Sequence, residues 1–504
     1  MARILRSRAS TLGAVGVVVV GTFATGVGGA AAAPATSGPD IQVSGPSTLT
    51  GCPAGASADF AAAYSNTEVE PQVAVNPVNP NVMVGATQQD RWPDGGARGL
   101  TSWISQNGGA SWAKLPDVPW SACQGGPARF GRVTDPWVSY DVAGTAYFIG
   151  QPIDLGTPAR SAISVTSMPL GGTTWRSPTI LIEDDESRGV TNDKVSVTGD
   201  PTRAGYAYAT WLRIDVPPGQ RQSENADLHS FAFRGFPMFS RTTDGGATWS
   251  TPVPMRQSNA FVQGNQIAVG PDGTLYNVGA TLFTGAGIQP NDKGVFMGVM
   301  RSTDAGLHWS APANIAPIRT QQLFVPDDNF PIRAGDYLPD IAIDPVRGSI
   351  YVVWSDGLGT PIDRVVLSRS TDGGRHWTAP AVVAADTGPS VQSYNQAVEV
   401  SPDGTVFVAF YDDRSNVLGD GVATTDVWLR HSHNGGGTWT ETHLSGPFDH
   451  YRAPISFFAP GVPRGLFLGD YIGLETRTGN DVVTFFSSTI SDGADVHSVS
   501  VAHP

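Results

Sequence analysis

The stretch Ser370-Thr371-Asp372-Gly373-Gly374-Arg375-His376-Trp377 decides the fold, because its pattern recurs along the chain. Written as Ser/Thr-x-Asp/Asn-x-Gly-x-x-Trp, the pattern has five good copies, which begin at Ser105, Thr242, Ser302, Ser370 and Ser432. A degraded sixth copy ends at Trp175, and the tryptophans of successive copies are 60 to 74 residues apart. A period of this length predicts a stacked or radial array of one supersecondary unit.

Each copy has the composition of a tight hairpin turn. Asp or Asn accepts hydrogen bonds from the backbone of its own turn, and Gly adopts a positive φ. Ser or Thr fixes the start of the turn, and Trp covers it with apolar area. We therefore interpret the copies as structural turns and look elsewhere for chemistry.

The segments between the copies read as short strands. Alternating apolar runs such as 396–400 and 406–410 are separated by turns rich in Asn, Asp, Pro and Gly. The chain has 60 Gly and 39 Pro, which suits many short strands, and it has no convincing helical period. These features predict an all-β fold, a β-propeller with four antiparallel strands in each blade.

The two ends of the chain bear on the number of blades. Residues 470–501 repeat the strand pattern without a copy of the turn and without a fourth strand. An early strand near residues 41–44 can supply that strand and hide both edges of the ring. We expect seven blades closed in this way. Six blades with a C-terminal extension are the alternative, and a two-layer sandwich is a more distant one.

The N-terminal residues 1–35 have the features of a secretory signal. Arg3, Arg6 and Arg8 precede an apolar stretch at 12–27, and small residues follow at 30–35. No second apolar stretch of membrane length follows, so no membrane span is expected. We expect a secreted, extracellular protein with a linker and closing strand at 36–65 and the propeller at 66–504.

The net charge restricts the possible binding partners, and the two cysteines suggest a disulfide. The formal net charge is −14, which argues against nucleic acid as a partner. The only cysteines are Cys52 and Cys123. In an exported protein they can form one disulfide, with a free pair as the alternative. A monomer that acts on an extracellular glycan is expected.

Strand order predicts which face of the propeller meets a ligand. If the strands of a blade alternate in direction, the repeated turns lie on one face, and the loops before the first strands lie on the other. The residues expected on that second face are Asp90, Arg91, Asp135, Asp193, Lys194, Asp336, Tyr337, Asp412, Asp413, Arg414, Asp470 and Tyr471. Carboxylates, arginines and tyrosines gathered at one opening suit glycosidic chemistry.

Plainer interpretations of these residues stay open. Asp135 before a strand can be a turn former. Asp90 with Arg91, and Asp413 with Arg414, can be local ion pairs. The surplus of carboxylates also suggests a Ca²⁺ ion, although no cofactor is required.

The repeated turn resembles the Asp-box, or BNR repeat, of the sialidase superfamily. The resemblance covers nearly the whole chain after the signal and implies a secreted, sialidase-like glycoside hydrolase, similar to exo-α-sialidases. A non-catalytic propeller that binds glycans or proteins is the alternative, since one fold hosts several functions.

The resemblance also implies roles for individual residues. It assigns Arg91, Arg333 and Arg414 to the substrate carboxylate. It assigns Tyr471 or Tyr337, which follow Asp470 and Asp336 in two similar Gly-Asp-Tyr sequences, to nucleophilic attack. It assigns Asp135 or Asp193 to proton transfer. The family's Arg-Ile-Pro sequence is absent from the first blade, where 70–73 reads Glu-Pro-Gln-Val.

Overall fold

The computed structural model describes residues 35–185, 187, 189–215, 234–256, 261–284, 293–335, 337–491 and 493–503. The expected signal segment lies outside these residues, except for Ala35, and so does Asp336. Within the described residues the chain is all-β, its helical segments are short 3-10 turns, and no helix there has the length and apolarity to cross a membrane. Many four-stranded antiparallel sheets follow one another along the chain, which is consistent with a β-propeller.

The strands form seven groups, which we number as sheets from the N-terminus, and sheets 1 and 2 are joined by one antiparallel pair, Ala97 with Val133. The strands of sheet 1 are Glu68–Val75, Met83–Arg91, Ala97–Ser105 and Ala113–Lys114, and those of sheet 2 are Arg132–Tyr140, Ala146–Asp154, Arg160–Met168 and Thr179–Asp185. Those of sheet 3 are Val190–Gly199, Ala207–Asp215, Arg234–Thr242 and Val253–Pro254, and those of sheet 4 are Phe261–Val269, Leu275–Thr284, Lys293–Ser302 and Ala313–Pro317. Those of sheet 5 are Asp340–Ile343, Ile350–Asp356, Arg364–Ser370 and Ala381–Val382, and those of sheet 6 are Ser393–Val400, Val406–Asp412, Thr424–Ser432 and Thr440–Asp449.

Sheet 7 combines both ends of the described chain. Its strands Gly473–Thr476, Val482–Ser488 and Asp495–Ala502 are consecutive, and the short strands Thr36–Ser37 and Ile41–Gln42 both pair with the last of them. The first strand of each sheet contacts the first strand of the next, and the first strand of sheet 7 contacts that of sheet 1.

An additional sheet was missed by the sequence analysis. Its strands are Leu323–Phe324, Pro331–Arg333, Ile455–Ala459 and Val462–Phe467. The strand that contains Arg333 pairs in parallel with Val462–Phe467, which is far away in sequence. This sheet, which we call the side sheet, brings a second part of the chain to the site described below.

The hydrophobic core lies between neighbouring sheets. Val353 and Val365 of sheet 5 pack with Val398 and Val408 of sheet 6, and all are almost fully buried. Strands such as Val406–Asp412 are buried along their whole length because other sheets cover both of their faces.

The repeated turns join the third and fourth strands of their sheets. In the turn at Ser370, the hydroxyl of Ser370 donates to Asp372 and accepts from the backbone N–H of Gly374 at 2.9 Å. Asp372 also accepts from the backbone N–H of His376 at 2.9 Å. These contacts occupy the polar groups of the turn, which supports its structural role.

A disulfide joins Cys52 and Cys123. It connects the segment that precedes sheet 1 to the loop that follows the fourth strand of that sheet.

Three acidic side chains meet in a cavity between the first strands. Asp340, Glu399 and Glu475, from sheets 5, 6 and 7, line a cavity of about 350 Å³. Burial, together with the nearby Asp340, raises the pKa of Glu399 to about 8. Burial also raises the pKa of Asp340 to about 7 and that of Glu475 well above its usual range.

Replacing Glu399 with Gln is therefore expected to stabilise the protein at high pH. Because the pKa of Glu399 is raised by folding, its favourable contribution is complete below about pH 4.5 and is lost as the pH rises through about 8. The variant should gain about 1–3 kcal/mol in the free energy of unfolding at pH 9 and little at pH 4. Urea unfolding at both pH values measures this, with Asp420→Asn in an exposed turn as control. Equal effects of Glu399→Gln at both pH values would contradict the assignment.

Candidate active site

The pairing of residues on neighbouring strands shows which residues lie at each end of a sheet. In sheet 3, Val190 pairs with Asp215 at one end, and Gly199 pairs with Ala207 at the other. Ala207 in turn pairs with Thr242, where the repeated turn begins. Asp193 and Lys194 therefore lie toward the end opposite the repeated turn, as predicted. We call this end of the strands the pocket face, because the pocket described below opens there.

First strands carry a β-bulge at matching positions near the pocket face. The strand register shifts between Val69 and Gln72, Thr134 and Trp137, Asp193 and Ser196, Gln263 and Gln266, and Tyr394 and Ala397. The bulged residues have positive φ, and they are Glu70, Asp135, Lys194, Gly264 and Asn395. A positive φ costs a residue with a side chain roughly 1–3 kcal/mol, and such bulges are over-represented beside active sites, where they re-aim side chains.

A pocket of about 120 Å³ opens between these bulges and the side sheet. Three arginines line it, namely Arg91 from sheet 1 and Arg333 and Arg464 from the side sheet. Asp135, Asp193, Lys194 and Tyr337 also line it. The structure therefore brings six of the predicted site residues to one pocket.

Asp470 anchors the cations of the site. Its Oδ2 atom accepts from Lys194 Nζ at 2.5 Å and from Arg333 Nη2 at 3.0 Å. Burial on its own would raise the pKa of Asp470, but Arg333 and Lys194 hold it well below its usual range. Burial would lower the pKa of Lys194, but Asp135 and Asp470 raise it above its usual value. Asp470 therefore remains ionised and positions the side chains of Lys194 and Arg333.

Asp135 and Asp193 have different surroundings in the pocket. Asp135 is 3% exposed, and its Oδ1 accepts from the hydroxyl of Thr134 at 2.9 Å, while its Oδ2 has no hydrogen-bond partner. Burial raises the pKa of Asp193 to about 6, with Lys194 opposing and Asp135 reinforcing the shift. One pocket is therefore lined by an acid that keeps its proton in mildly acidic solution and by a second carboxyl group that has a buried oxygen without a hydrogen-bond partner.

Glu70 lies behind the pocket in a buried polar network. Gln88 donates from its amide nitrogen to Glu70 and, at 2.8 Å, to Thr134, and its amide oxygen accepts from Arg91 at 2.8 Å. Burial and the nearby Asp135 raise the pKa of Glu70 to about 8. This network fixes the orientation of Arg91 and Thr134, and through Thr134 that of Asp135.

The guanidiniums of Arg91 and Arg333 lie close together, and no carboxylate binds their Nε atoms. Both guanidiniums lie over the ring of Phe467, at 4.7 and 4.0 Å from its centre, and both Nε atoms are buried without a hydrogen-bond partner. Burial and Arg333 lower the pKa of Arg91 to about 10. A pocket that holds two like charges and unpaired donors suits an anionic group on the ligand.

The two predicted tyrosines hold different places. The hydroxyl of Tyr471 donates to the backbone oxygen of Pro136 at 3.3 Å, and its ring packs against Trp137 at 5.2 Å. Burial and Glu70 raise its pKa well above 10.0, so it remains a phenol. Tyr337 lines the pocket, and its hydroxyl donates to Gln263 at 2.7 Å.

Four other predicted residues do not line this pocket. Arg414 binds Asp412 at 2.6 Å and Glu441 at 2.5 Å. Asp413 accepts from Gln392 at 2.9 Å, and Asp90 pairs with Arg98 at 3.1 Å. Arg414, Asp412, Asp413 and Asp90 therefore stabilise loops, and Arg464 takes the place in the pocket that was expected for Arg414.

Sequence analysis did not select Glu70 or Arg464. A signal for Glu70 existed, because Pro71 and Pro136 follow two of the bulged residues and proline within a sheet is confined to edges, first positions and bulges. Arg464 had no such signal, since its place depends on the pairing of two distant strands in the side sheet.

Comparisons with known proteins give a fold-level likeness only. No family model matches the sequence, and no curated protein is similar to it. A Penicillium chrysogenum α-L-arabinanase complexed with arabinobiose is 12% identical, with 93% of this chain and 98% of that one covered and a TM-score of 0.46. An intramolecular trans-sialidase from Ruminococcus gnavus is 13% identical, with 88% and 95% covered and a TM-score of 0.40. A Trypanosoma rangeli sialidase is 12% identical, with 77% and 56% covered and a TM-score of 0.41. Likenesses at this level identify neither a substrate nor a reaction for this chain.

Proposed function

We propose that this protein is a glycoside hydrolase and that Asp193 and Asp135 perform the reaction in the pocket described above. The observation that carries the proposal is the pair itself. Two carboxyl groups line one pocket, the pKa of one of them, Asp193, is raised to about 6, and glycosidic cleavage needs a pair of carboxyl groups.

In this reaction Asp193 gives its proton to the glycosidic oxygen as the bond to the anomeric carbon breaks. The unpartnered Oδ2 of Asp135 faces the positive charge that develops on the sugar ring and either attacks the anomeric carbon or activates water. Tyr471 supports Asp135 by holding the backbone at Pro136, rather than acting as the nucleophile expected from the family resemblance.

The substrate is a glycan whose terminal sugar carries an acidic group, as sialic acid does. Arg91, Arg333 and Arg464 line the pocket, and the Nε atoms of Arg91 and Arg333 are buried without a hydrogen-bond partner. Desolvated guanidiniums bind carboxylates through paired hydrogen bonds.

Incubation of the purified protein with acidic and neutral glycans tests the proposal. Sialosides, uronic acid polysaccharides and arabinans would be incubated between pH 4 and 8, and released sugar would be measured by chromatography. We expect release from an acidic glycan. Binding without release at any pH would contradict hydrolysis and favour a glycan-binding protein, and release from arabinan alone would contradict the acidic substrate.

We further infer that the seven sheets are seven blades of a closed ring and that the protein is secreted as a monomer. Contacts between successive first strands and the pairing of Ile41–Gln42 with Asp495–Ala502 support the ring. The N-terminal pattern of charge and apolar residues supports secretion. Mass spectrometry of the exported protein would locate the cleavage site.

A further inference from the structure

Three histidines meet on the side of the protein that carries the repeated turns. His431 is near the end of the third strand of sheet 6, and His433 is in the repeated turn that follows it. His503 comes directly after the third strand of sheet 7. The cluster therefore bridges two sheets, and it is separate from the proposed active site, which lies at the opposite ends of the strands.

The three rings are close enough to share one ion. The ring centres of His431 and His503 are 4.4 Å apart, those of His433 and His503 are 5.0 Å apart, and those of His431 and His433 are 5.4 Å apart. One nitrogen of each ring lies within 4.8 Å of the others. Bonds of about 2.0–2.1 Å at tetrahedral angles place such nitrogens about 3.4 Å apart. Small ring rotations close the remaining gap.

His431 gives a second, independent indication of a ligand. Its side chain is almost fully buried, at 1% exposed, and neither ring nitrogen has a hydrogen-bond partner. A buried polar group without a hydrogen-bond partner is unfavourable, so such a group in a folded protein calls for an explanation.

His433 is oriented by a neighbouring side chain. Its Nδ1 lies 3.0 Å from the hydroxyl of Thr405. A hydrogen bond to one ring nitrogen is the usual way in which a metal-binding histidine is held, with the other nitrogen directed to the ion. His433 is exposed, so the remaining coordination position is accessible to water.

We propose that His431, His433 and His503 bind one zinc ion, which fastens the C-terminal strand of the protein to sheet 6. Imidazole nitrogens favour zinc and other transition metals over calcium and magnesium. Other contacts already join this region, because Asn480 of sheet 7 donates to Asp403 of sheet 6 at 2.8 Å. Zinc would add a strong cross-link beside this hydrogen bond.

Zinc binding by protein without an affinity tag tests the proposal. After treatment with a chelator and removal of the chelator, zinc would be titrated by calorimetry, and bound metal would be counted by elemental analysis. We expect one zinc ion per chain with a micromolar or lower Kd, together with a higher Tm. His433→Ala is the informative variant because this side chain is exposed and its loss leaves the core intact.

His433→Ala should weaken zinc binding at least 10-fold and remove the increase in Tm. His376→Ala is the matched control, since His376 is an exposed histidine in the equivalent turn of sheet 5, and it should change neither. Failure of the native protein to bind stoichiometric zinc, or equal binding by His433→Ala, would overturn the proposal. Glycan hydrolysis by the zinc-free protein should be unchanged.

Discussion

Replacing Asp193 with asparagine should lower kcat/KM for a natural glycan by about 100- to 10,000-fold, the usual contribution of a general acid. Asparagine has the shape of Asp193 but cannot give a proton to the leaving oxygen. Asp135→Asn should cause a loss of similar size because it replaces the carboxyl group that acts at the anomeric carbon. Both side chains line the same pocket, so neither loss requires a change in the fold.

The leaving group separates the two roles. An aryl glycoside with a dinitrophenolate leaving group needs little protonation, so Asp193→Asn should lose much less activity on it than on the natural glycan. Asp135→Asn should lose activity on both substrates. Equal losses for Asp193→Asn on the two substrates would contradict its role as the acid.

The pH profile and a matched variant complete the experiment. For the native protein, kcat/KM should fall as the pH rises above about 6, where Asp193 loses its proton, and Asp193→Asn should lack this limb. Asp372→Asn is the control, because Asn107 and Asn434 occupy the same position in two other copies of the turn. Its kinetics should match those of the native protein.

Replacing Asp470 with alanine should lower the free energy of unfolding by about 3–5 kcal/mol, because Lys194 and Arg333 would remain buried without their shared carboxylate. Asp470 is 5% exposed, so water cannot replace the lost charge at low cost. Urea unfolding followed by circular dichroism measures the effect.

Asp117→Ala is the matched control for this prediction. Asp117 pairs with Lys114 at 3.2 Å on the surface, and exposed pairs of this kind contribute about 0–1 kcal/mol. If Asp470→Ala were no more destabilising than Asp117→Ala, the account of Asp470 as the anchor of the site would be wrong.

The sequence predicted on which face of the protein the site lies better than it predicted which residues form the site. The repeated turns fixed which strands each copy joins, and strand alternation then separated Asp193 and Lys194 from those turns. Asp135, Asp193, Lys194 and Asp470 were selected because the sequence pattern placed them just before first strands, but the structure places Asp135, Asp193 and Lys194 within the pocket-face ends of those strands. The positive φ of Asp135 and Lys194 could not be predicted, since a bulge depends on the register of the neighbouring strand.

The other site residues could not be predicted because their positions depend on pairing between segments that are distant in sequence. Arg414 looked suitable as a ligand for an anion, but Glu441, on the fourth strand of the same sheet, binds it. Arg464 reaches the pocket, and Phe467 reaches the guanidiniums of Arg91 and Arg333, because Val462–Phe467 pairs with Pro331–Arg333 across more than a hundred residues. Neither outcome is visible in local composition, because both depend on which strand lies beside which.

A crystal structure of Asp193→Asn with an acidic oligosaccharide tests the central claim most directly. The account predicts a sugar in the pocket, with its acidic group bound by Arg91 and Arg333 and its anomeric carbon beside Oδ2 of Asp135. A sugar bound on the side of the repeated turns, or one whose acidic group points away from both arginines, would contradict it.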